Sequence, residues 1–98
     1  MRAPAIYIMT NKPNGTLYIG VSSRLVQRVY EHKTEVYENS FSAKYSCKNL
    51  VYYEIFTDIR SAIKREKQLK KVSRKKKIAL IETINPNWQD LYSKISRY

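Results

Sequence analysis

The chain has 98 residues, and its 43% share of hydrophobic side chains is too high for a disordered protein and sufficient for the core of one domain over residues 1–98. Nineteen lysines and arginines stand against eight aspartates and glutamates. The resulting formal net charge of +11 favours a polyanionic partner such as nucleic acid.

Two other features narrow the class of protein. No apolar run reaches the roughly 20 residues that span a bilayer, and no signal-peptide pattern precedes the first strand-like segment, so we expect no membrane partner. Cys47 is the single cysteine, which excludes an internal disulfide and argues against a multi-cysteine metal site. These features together predict a cytoplasmic protein.

The first third of the chain predicts a β-hairpin followed by a helix. Residues 6–9 and 17–21 are rich in β-branched and aromatic side chains, which favours two strands. Asn14-Gly15 ends the turn-forming run between them and is expected to supply a positive φ. Ser22 or Ser23 is the expected N-cap of a first helix that runs to about residue 37.

The rest of the chain predicts one more strand and three more helices. After a polar loop over residues 38–48, residues 50–56 form the third strand, and Thr57 or Asp58 caps a helix that ends near residue 71. Ser73 begins the next helix, which the Asn85-Pro86 pair ends. A short last helix carries Trp88, which we expect in the core, and Leu91, Tyr92 and Ile95. The order is ββαβααα, which places the fold in the α+β class.

The positive charge is concentrated in one segment. Residues 60–77 contain one acid, Glu66, and more than half of the basic residues of the chain. We interpret this segment as a phosphate-binding surface, and the alternative is a basic face that is merely solvated. The ten basic residues are Arg60, Lys64, Arg65, Lys67, Lys70, Lys71, Arg74, Lys75, Lys76 and Lys77.

Helical spacing indicates which polar side chains share a face with apolar ones. In the first helix Leu25, Val29, His32 and Val36 are four, three and four residues apart, so His32 lies on the apolar stripe. Arg28, one turn before His32, lies on a neighbouring part of the same face. His32 is therefore either a site residue or a hydrogen-bonded structural histidine.

A similar stripe surrounds the acid of the basic segment. Ile59, Ile63, Glu66 and Leu69 are four, three and three residues apart, which places Glu66 among apolar neighbours. An unpaired buried carboxylate is costly, so Glu66 needs a cationic partner such as Arg28 or a bound metal ion. A simple ion pair with Lys70, four residues on, is the alternative.

The order of these residues resembles a known family. Ala5-Ile6-Tyr7, then Tyr18-Ile19-Gly20, then Arg28 and His32, then Glu66 is similar to the GIY-YIG nuclease superfamily. The likeness is greatest to its small single-domain bacterial members, which are related to the nuclease domain of the excision-repair C subunit and to certain homing endonucleases. Ala5 stands where the family has its first glycine.

The resemblance implies a three-stranded antiparallel sheet flanked by helices, and hydrolysis assisted by one divalent cation, Mg²⁺ or Mn²⁺. Glu66 is then the metal ligand, Arg28 stabilises the phosphate, and Tyr7 and Tyr18 are active-site tyrosines. His32 lies near the site. Many family members also use an asparagine late in the fold, for which Asn85 and Asn87 are the candidates; the alternative for Asn87 is that it only caps the last helix. Elementary chemistry allows either a tyrosine or His32 to accept the proton of the attacking water.

Elementary chemistry is consistent with these roles. Mg²⁺ usually keeps several waters, so one carboxylate such as Glu66 suffices when a phosphate supplies further oxygens. The guanidinium of Arg28 stays protonated and suits the charge that grows on phosphorus oxygens in the transition state.

The expected substrate is DNA, with RNA kept as an alternative, and the expected role lies in repair or recombination. Selectivity comes from this domain, from a partner protein, or is absent. A nucleic-acid-binding module without catalysis is the second hypothesis. The expected contacts to nucleic acid are Arg24, Lys64, Arg65, Lys67, Lys70, Lys71, Arg74 and Lys75.

Overall fold

A computed structural model describes residues 3–34 and 44–96 and confirms the predicted order of elements within those ranges. The predicted loop over residues 38–48 therefore lies mostly outside the described residues. The strands and helices are β1 (Ala5–Thr10), β2 (Leu17–Ser22), α1 (Leu25–Lys33), β3 (Asn49–Ile55), α2 (Ile59–Lys71), α3 (Arg74–Ile84) and α4 (Tyr92–Ile95).

The strands form one antiparallel sheet in the order β2-β1-β3, which confirms the expected architecture. All six residues of β1 are buried, because this strand has a neighbour on each side and helices on both faces. Tyr7 lies opposite Gly20 of β2 and Tyr53 of β3. A register shift between Ile8 and Met9 follows this point of the β1–β3 pairing.

Alternation along β1 separates two cores. Ala5, Tyr7 and Met9 face a cluster that includes residues of α1 and α4, whereas Ile6 and Ile8 face one built with α2 and α3. The side chain of Ala5 is fully buried in the first cluster, so the methyl group that replaces the family's glycine is packed within the core.

The β1–β2 turn is held by side chains and does not need a positive φ at its glycine. Asn14 has the positive φ, 57°, and Gly15 has none. A Cβ on Gly15 would lie 2.0 Å from Asn11 Oδ1, an atom that accepts a hydrogen bond from the Thr16 amide at 3.0 Å. The Asn14-Gly15 pair therefore supplies the predicted positive φ at Asn14, and Gly15 is needed for close approach.

The predicted caps of the second and third helices are confirmed. Asp58 Oδ1 accepts a hydrogen bond from the Ser61 amide at 2.8 Å, and Ser73 Oγ accepts one from the Lys76 amide at 3.2 Å. Each side chain satisfies one of the backbone donors that a helix leaves unpaired at its first turn.

The predicted cap of the first helix is wrong. The N-cap of α1 is Arg24, whose side chain makes no capping bond, because Ser22 still belongs to β2. Ser22 Oγ instead accepts a hydrogen bond from the Arg24 amide at 2.9 Å and closes the turn between strand and helix. The helix also ends earlier than predicted, at Lys33, where the Thr34 hydroxyl donates to the carbonyl of Tyr30 at 3.0 Å.

The last helix is shorter than predicted. Trp88 precedes it with a φ of 55°, which is incompatible with a helix, and only residues 92–95 are helical. Trp88 is buried as expected, and its Nε1 donates to Glu82 Oε2 at 2.8 Å. Within the described residues no helix is long and apolar enough to cross a membrane.

The side chain of Asn85 holds the segment between α3 and α4 by hydrogen bonds. Its buried amide nitrogen donates to the carbonyls of Val51 at 3.1 Å and Gln89 at 2.8 Å, and its Oδ1 accepts from the Gln89 amide at 2.9 Å. All of these partners are backbone groups, so Asn85 fixes the chain against β3.

We expect Asn85→Ala to lower the free energy of unfolding by about 2–3 kcal/mol, because the buried carbonyl of Val51 and the part-buried carbonyl of Gln89 lose their donor. Urea unfolding monitored by Trp88 fluorescence measures the change. Asn87→Ala, at an exposed position two residues on, is the matched control and should alter stability by less than about 0.5 kcal/mol. Equal losses in the two variants would contradict the structural role of Asn85.

Candidate active site

A phenol and an imidazole are bonded to each other in the first core. Tyr7 lies on the central strand with 1% of its surface exposed, and its hydroxyl lies 2.9 Å from His32 Nε2. His32 is buried on the inward stripe of α1, with Leu25 and Val29, as predicted; Val36 lies outside the described residues. The hydrogen bond satisfies two polar groups that burial would otherwise penalise.

Tyr18 and Arg28 complete a cluster around this pair. The ring of Tyr18 lies 4.9 Å from the imidazole and 6.2 Å from the ring of Tyr7, measured between centroids. The guanidinium of Arg28 interacts electrostatically with both phenols. The structure thus brings together Tyr7, Tyr18, Arg28 and His32, four of the five residues predicted to be catalytic.

Burial sets the protonation of the Tyr7–His32 pair. Desolvation, reinforced by the neighbouring phenol of Tyr18, raises the pKa of Tyr7, although Arg28 opposes the shift. Desolvation and the positive charge of Arg28 lower the pKa of His32 to about 4. At neutral pH both groups are therefore uncharged.

Gly20 makes room for the ring of Tyr7. The two residues are directly opposite each other in the β1–β2 pairing, and a Cβ on Gly20 would lie 2.4 Å from both Cζ and Oη of Tyr7. The glycine of the Tyr18-Ile19-Gly20 motif is therefore required by the first tyrosine, across the sheet. Sequence reasoning used this glycine as part of a motif and did not assign it a contact.

A polar hollow opens beside the cluster, where β2 passes into α1. It has a volume of about 280 Å³, and both Arg24 and Arg28 line it. Glu31 Oε1 lies 3.1 Å from Arg28 Nη1 and orients the guanidinium. Sequence reasoning missed Glu31, although an acid three residues after an arginine in a helix is a recognisable signal. The lining residues are Ser22, Ser23, Arg24, Gln27, Arg28 and Glu31.

The fifth predicted residue, Glu66, lies on α2, the helix on which it was predicted, but the apolar stripe around it differs from the predicted one. Ile59 and Ile63 are 41% and 37% exposed, so the predicted apolar stripe is wrong for these positions. The buried residues of α2 are Ala62 and Leu69, four before and three after Glu66. Glu66 still lies on the inward side of the helix, and its side chain is 16% exposed.

Glu66 is connected to the region of Tyr18 through a lysine. Its Oε2 lies 3.4 Å from Lys70 Nζ, and the Lys70 side chain lines a second hollow together with Tyr18. The helix α2 packs against β2, the strand that carries Tyr18. The ion pair with Lys70 is the alternative that the sequence raised, and the 55% exposure of Lys70 makes that pair weak.

The donor set around Glu66 suits a hard cation that retains most of its water. In residues 3–34 and 44–96 no group of three or more His, Cys, Asp or Glu side chains could hold a metal ion. A carboxylate that is partly exposed and paired only through a weak surface contact is nevertheless available as one oxygen ligand. Mg²⁺ and Mn²⁺ accept such a site when water and phosphate oxygens supply the remaining ligands.

Two of the predicted phosphate contacts are engaged within the chain. Arg65 forms a two-pronged ion pair with Glu54 of β3, with Nε–Oε1 and Nη2–Oε2 distances of 3.0 and 3.1 Å. Arg74 donates to the carbonyls of Asn14 and Gly15, both at 2.6 Å. These arginines hold helices against the sheet and the hairpin turn. The remaining predicted contacts, Arg24, Lys64, Lys67, Lys70, Lys71 and Lys75, are exposed.

Comparison with known proteins identifies the family to which the chain belongs. A three-stranded antiparallel sheet that presents two tyrosines beside an arginine and a histidine defines an α+β domain with a polar site at the hairpin. The model of the GIY-YIG catalytic domain matches residues 3–79, and the chain belongs to the GIY-YIG nuclease family.

Two curated relatives are small proteins of similar length. A UPF0213 protein of Staphylococcus saprophyticus is 38% identical over 80 residues, which cover 78% of this chain and 90% of the relative. A UPF0213 protein of Syntrophus aciditrophicus is 33% identical over 67 residues, which cover 68% and 77% respectively. No solved structure shows significant similarity to the chain.

We expect Gly20→Ala to destabilise the domain by about 1–3 kcal/mol, because the new methyl group displaces the ring of Tyr7 from a packed core. Urea unfolding measures the loss. Ser22→Thr adds one methyl group on the same face of β2 and keeps the hydroxyl, so it should cost clearly less. Two variants of equal stability would show that the close approach of Tyr7 to Gly20 does not constrain the sheet.

We expect the imidazole of His32 to titrate near pH 4, well below its usual 6.5. The chain has one histidine, so its NMR signal is unambiguous. Because the unfolded chain binds the proton more tightly, His32 stabilises the fold fully above pH 6.5, and this contribution falls as the pH drops towards 4. His32→Gln should remove that part of the pH dependence. A titration midpoint of the His32 signal near pH 6.5 would show that the imidazole is not buried in its neutral form.

Proposed function

We propose that this protein is a divalent-metal-dependent endonuclease that hydrolyses phosphodiester bonds in DNA. The observation that supports the proposal most strongly is the cluster of Tyr7, Tyr18, Arg28 and His32, which adjoins a hollow lined by two arginines. A purely structural cluster would not need a cation at its solvent edge. The net charge of +11 adds a field that attracts a polyanionic strand.

Arg28 binds the scissile phosphate. Its guanidinium lines the hollow and interacts with both phenols, so a phosphate held there lies next to the tyrosine hydroxyls. Glu31 holds the guanidinium at 3.1 Å and limits its rotation. The fork of donors suits the negative charge that accumulates on the phosphate oxygens in the transition state.

The Tyr7–His32 pair accepts the proton of the attacking water. A phenol with a raised pKa is a poor base alone, but Tyr7 can take a proton from water while it passes its own to His32 Nε2. The water oxygen then bonds to phosphorus as the bond to the leaving oxygen breaks. This relay uses the neutral imidazole protonated at Nδ1, so that Nε2 is the acceptor.

Substrate charge assists this proton transfer. The positive charge of Arg28 is one cause of the low pKa of His32. A bound phosphate offsets that charge, and imidazolium formation becomes less costly. Tyr18, which contacts the imidazole ring, positions the water and the phosphate in this scheme.

Glu66 is the residue that would hold the divalent cation. When bound, the cation would supply charge neutralisation for the leaving oxygen, a role that one carboxylate and substrate oxygens can support. Its inward position between Ala62 and Leu69, on the helix that packs against the Tyr18 strand, supports this assignment. A solvent-exposed charge would have no need of that position.

We expect Glu66→Gln to lower Mg²⁺- or Mn²⁺-dependent cleavage of plasmid, nicked and branched DNA at least about a hundredfold, because the cation loses its ligand. Binding of the same DNA in chelator should be unchanged. Glu82→Gln is the matched control: it removes one carboxylate from a neighbouring helix and keeps an oxygen that accepts from Trp88.

Wild-type protein that cleaves none of these substrates better than Glu66→Gln would contradict the nuclease assignment. Salt-sensitive DNA binding without cleavage would then identify a binding module. A loss of cleavage in Glu82→Gln equal to that in Glu66→Gln would show that charge or folding, rather than metal ligation, explains the effect.

A further inference from the structure

A second hollow, separate from the arginine-lined one, has Tyr18 in its lining. It has a volume of about 270 Å³ and lies between the edge strand β2 and the junction of α2 with α3. Its cationic lining comes from Lys70, in the last turn of α2, and Lys77, in the first turns of α3. Its lining residues are Leu17, Tyr18, Ile19, Lys70 and Lys77.

Lys77 differs from the other lysines of its segment. It is half-buried, whereas Lys75 and Lys76 are exposed, and it makes no ion pair with any of the residues that the structure describes. Among the described residues, Lys70 forms an ion pair with Glu66 alone, at 3.4 Å. A half-buried ammonium without an acid beside it favours an anion in the adjoining space.

The position of this lysine is fixed by Arg74. The guanidinium of Arg74 donates to the carbonyls of Asn14 and Gly15 at 2.6 Å, and so fastens the start of α3 to the β1–β2 turn. Lys77, one turn later, is thereby held beside the strand that carries Tyr18. A cation held in place binds an anion with less loss of conformational freedom than a mobile one.

We propose that this hollow binds a phosphate of the nucleic-acid strand other than the one that is cleaved, with Lys70 and Lys77 as its cationic ligands. The proposal rests on the nuclease function proposed above and extends it to the path of the substrate. The strand runs along the edge of β2, past Tyr18, from the arginines at one end to the lysines at the other.

The strand β2 contributes to both hollows. Ser22 lines the arginine-containing hollow and Tyr18 lines the second one, and both residues belong to β2. One strand of duplex DNA carries a phosphate every 3.4 Å along the axis, so a strand that passes both hollows presents several phosphates to this edge. The alternative is that Lys70 and Lys77 are only solvated charges.

Binding of labelled oligonucleotides to the full chain in chelator tests the proposal. A series of strands carries one uncharged methylphosphonate at each position in turn. We expect Lys77→Met to weaken binding of the unmodified strand about tenfold and to reduce the salt slope by about one charge. The methylphosphonate that weakens wild-type binding at one particular position should have no further effect in Lys77→Met.

Lys76→Met is the matched control, since it removes the same charge one residue away at an exposed position. It should bind nearly as the wild type does and should keep the sensitivity to that methylphosphonate. Lys77→Arg should restore binding, which excludes a folding defect as the cause. Equal weakening by Lys76→Met and Lys77→Met, or no wild-type binding, would overturn the proposal, as would persistence of every methylphosphonate effect in Lys77→Met.

Hydrolysis of bis(p-nitrophenyl) phosphate with Mn²⁺ separates this proposal from the nuclease function. The small diester has no second phosphate, so Lys77→Met should lower its hydrolysis much less than it lowers cleavage of DNA. Absence of wild-type hydrolysis of both this diester and DNA counts against the nuclease function. Loss of diester hydrolysis in Lys77→Met alone would overturn the assignment of Lys77 to a distant phosphate.

Discussion

The hydrogen bond between Tyr7 and His32 joins the parts of this protein on which its chemistry depends. A phenol in the centre of the innermost strand is expensive to bury unless its hydroxyl has a partner, and the imidazole on α1 supplies it. The same contact fixes the angle of α1 against the sheet and brings Arg28 to the edge of the cluster. Gly20 allows it, since any larger residue would meet the ring. The hydrogen bond that stabilises the core therefore also forms part of the candidate site.

The basic residues divide into two groups with different tasks. Arg65 and Arg74 use their forked donors on Glu54 and on backbone carbonyls, so they hold α2 and α3 in place. Lys64, Lys67, Lys71, Lys75 and Lys76 are exposed, form no ion pair with a residue that the structure describes, and contribute a positive field. This division agrees with the chemistry of the side chains, because a guanidinium binds several acceptors in fixed directions and an ammonium acts as a point charge. The number of basic residues alone therefore overstates how many of them are available to bind a phosphate.

Local pattern predicted the elements well, because strand composition, caps and breaking residues act over a few positions. Asp58 and Ser73 cap their helices as expected. The sequence pattern did not predict which face of α2 packs against the sheet, because tertiary packing decides it. Ala62 and Leu69 are buried, whereas Ile59 and Ile63 are exposed. The φ of 55° at Trp88 likewise lies outside what local pattern predicts, in the segment that the Asn85 side chain bonds to Val51 of β3. The order of Tyr7, Tyr18, Arg28 and His32 in the sequence was enough to predict which residues form the cluster. The contact of Tyr7 with Gly20 could not be predicted, because it depends on the register of the sheet.

The burial of all six residues of β1 has a consequence for the motions of this protein. Amide hydrogens of a strand enclosed on both edges and both faces exchange with solvent chiefly when the whole domain opens. The first tyrosine therefore belongs to the slowest-exchanging unit of the chain. Any breathing that admits a substrate must occur in the peripheral helices, while the phenol stays stationary for as long as the molecule is folded.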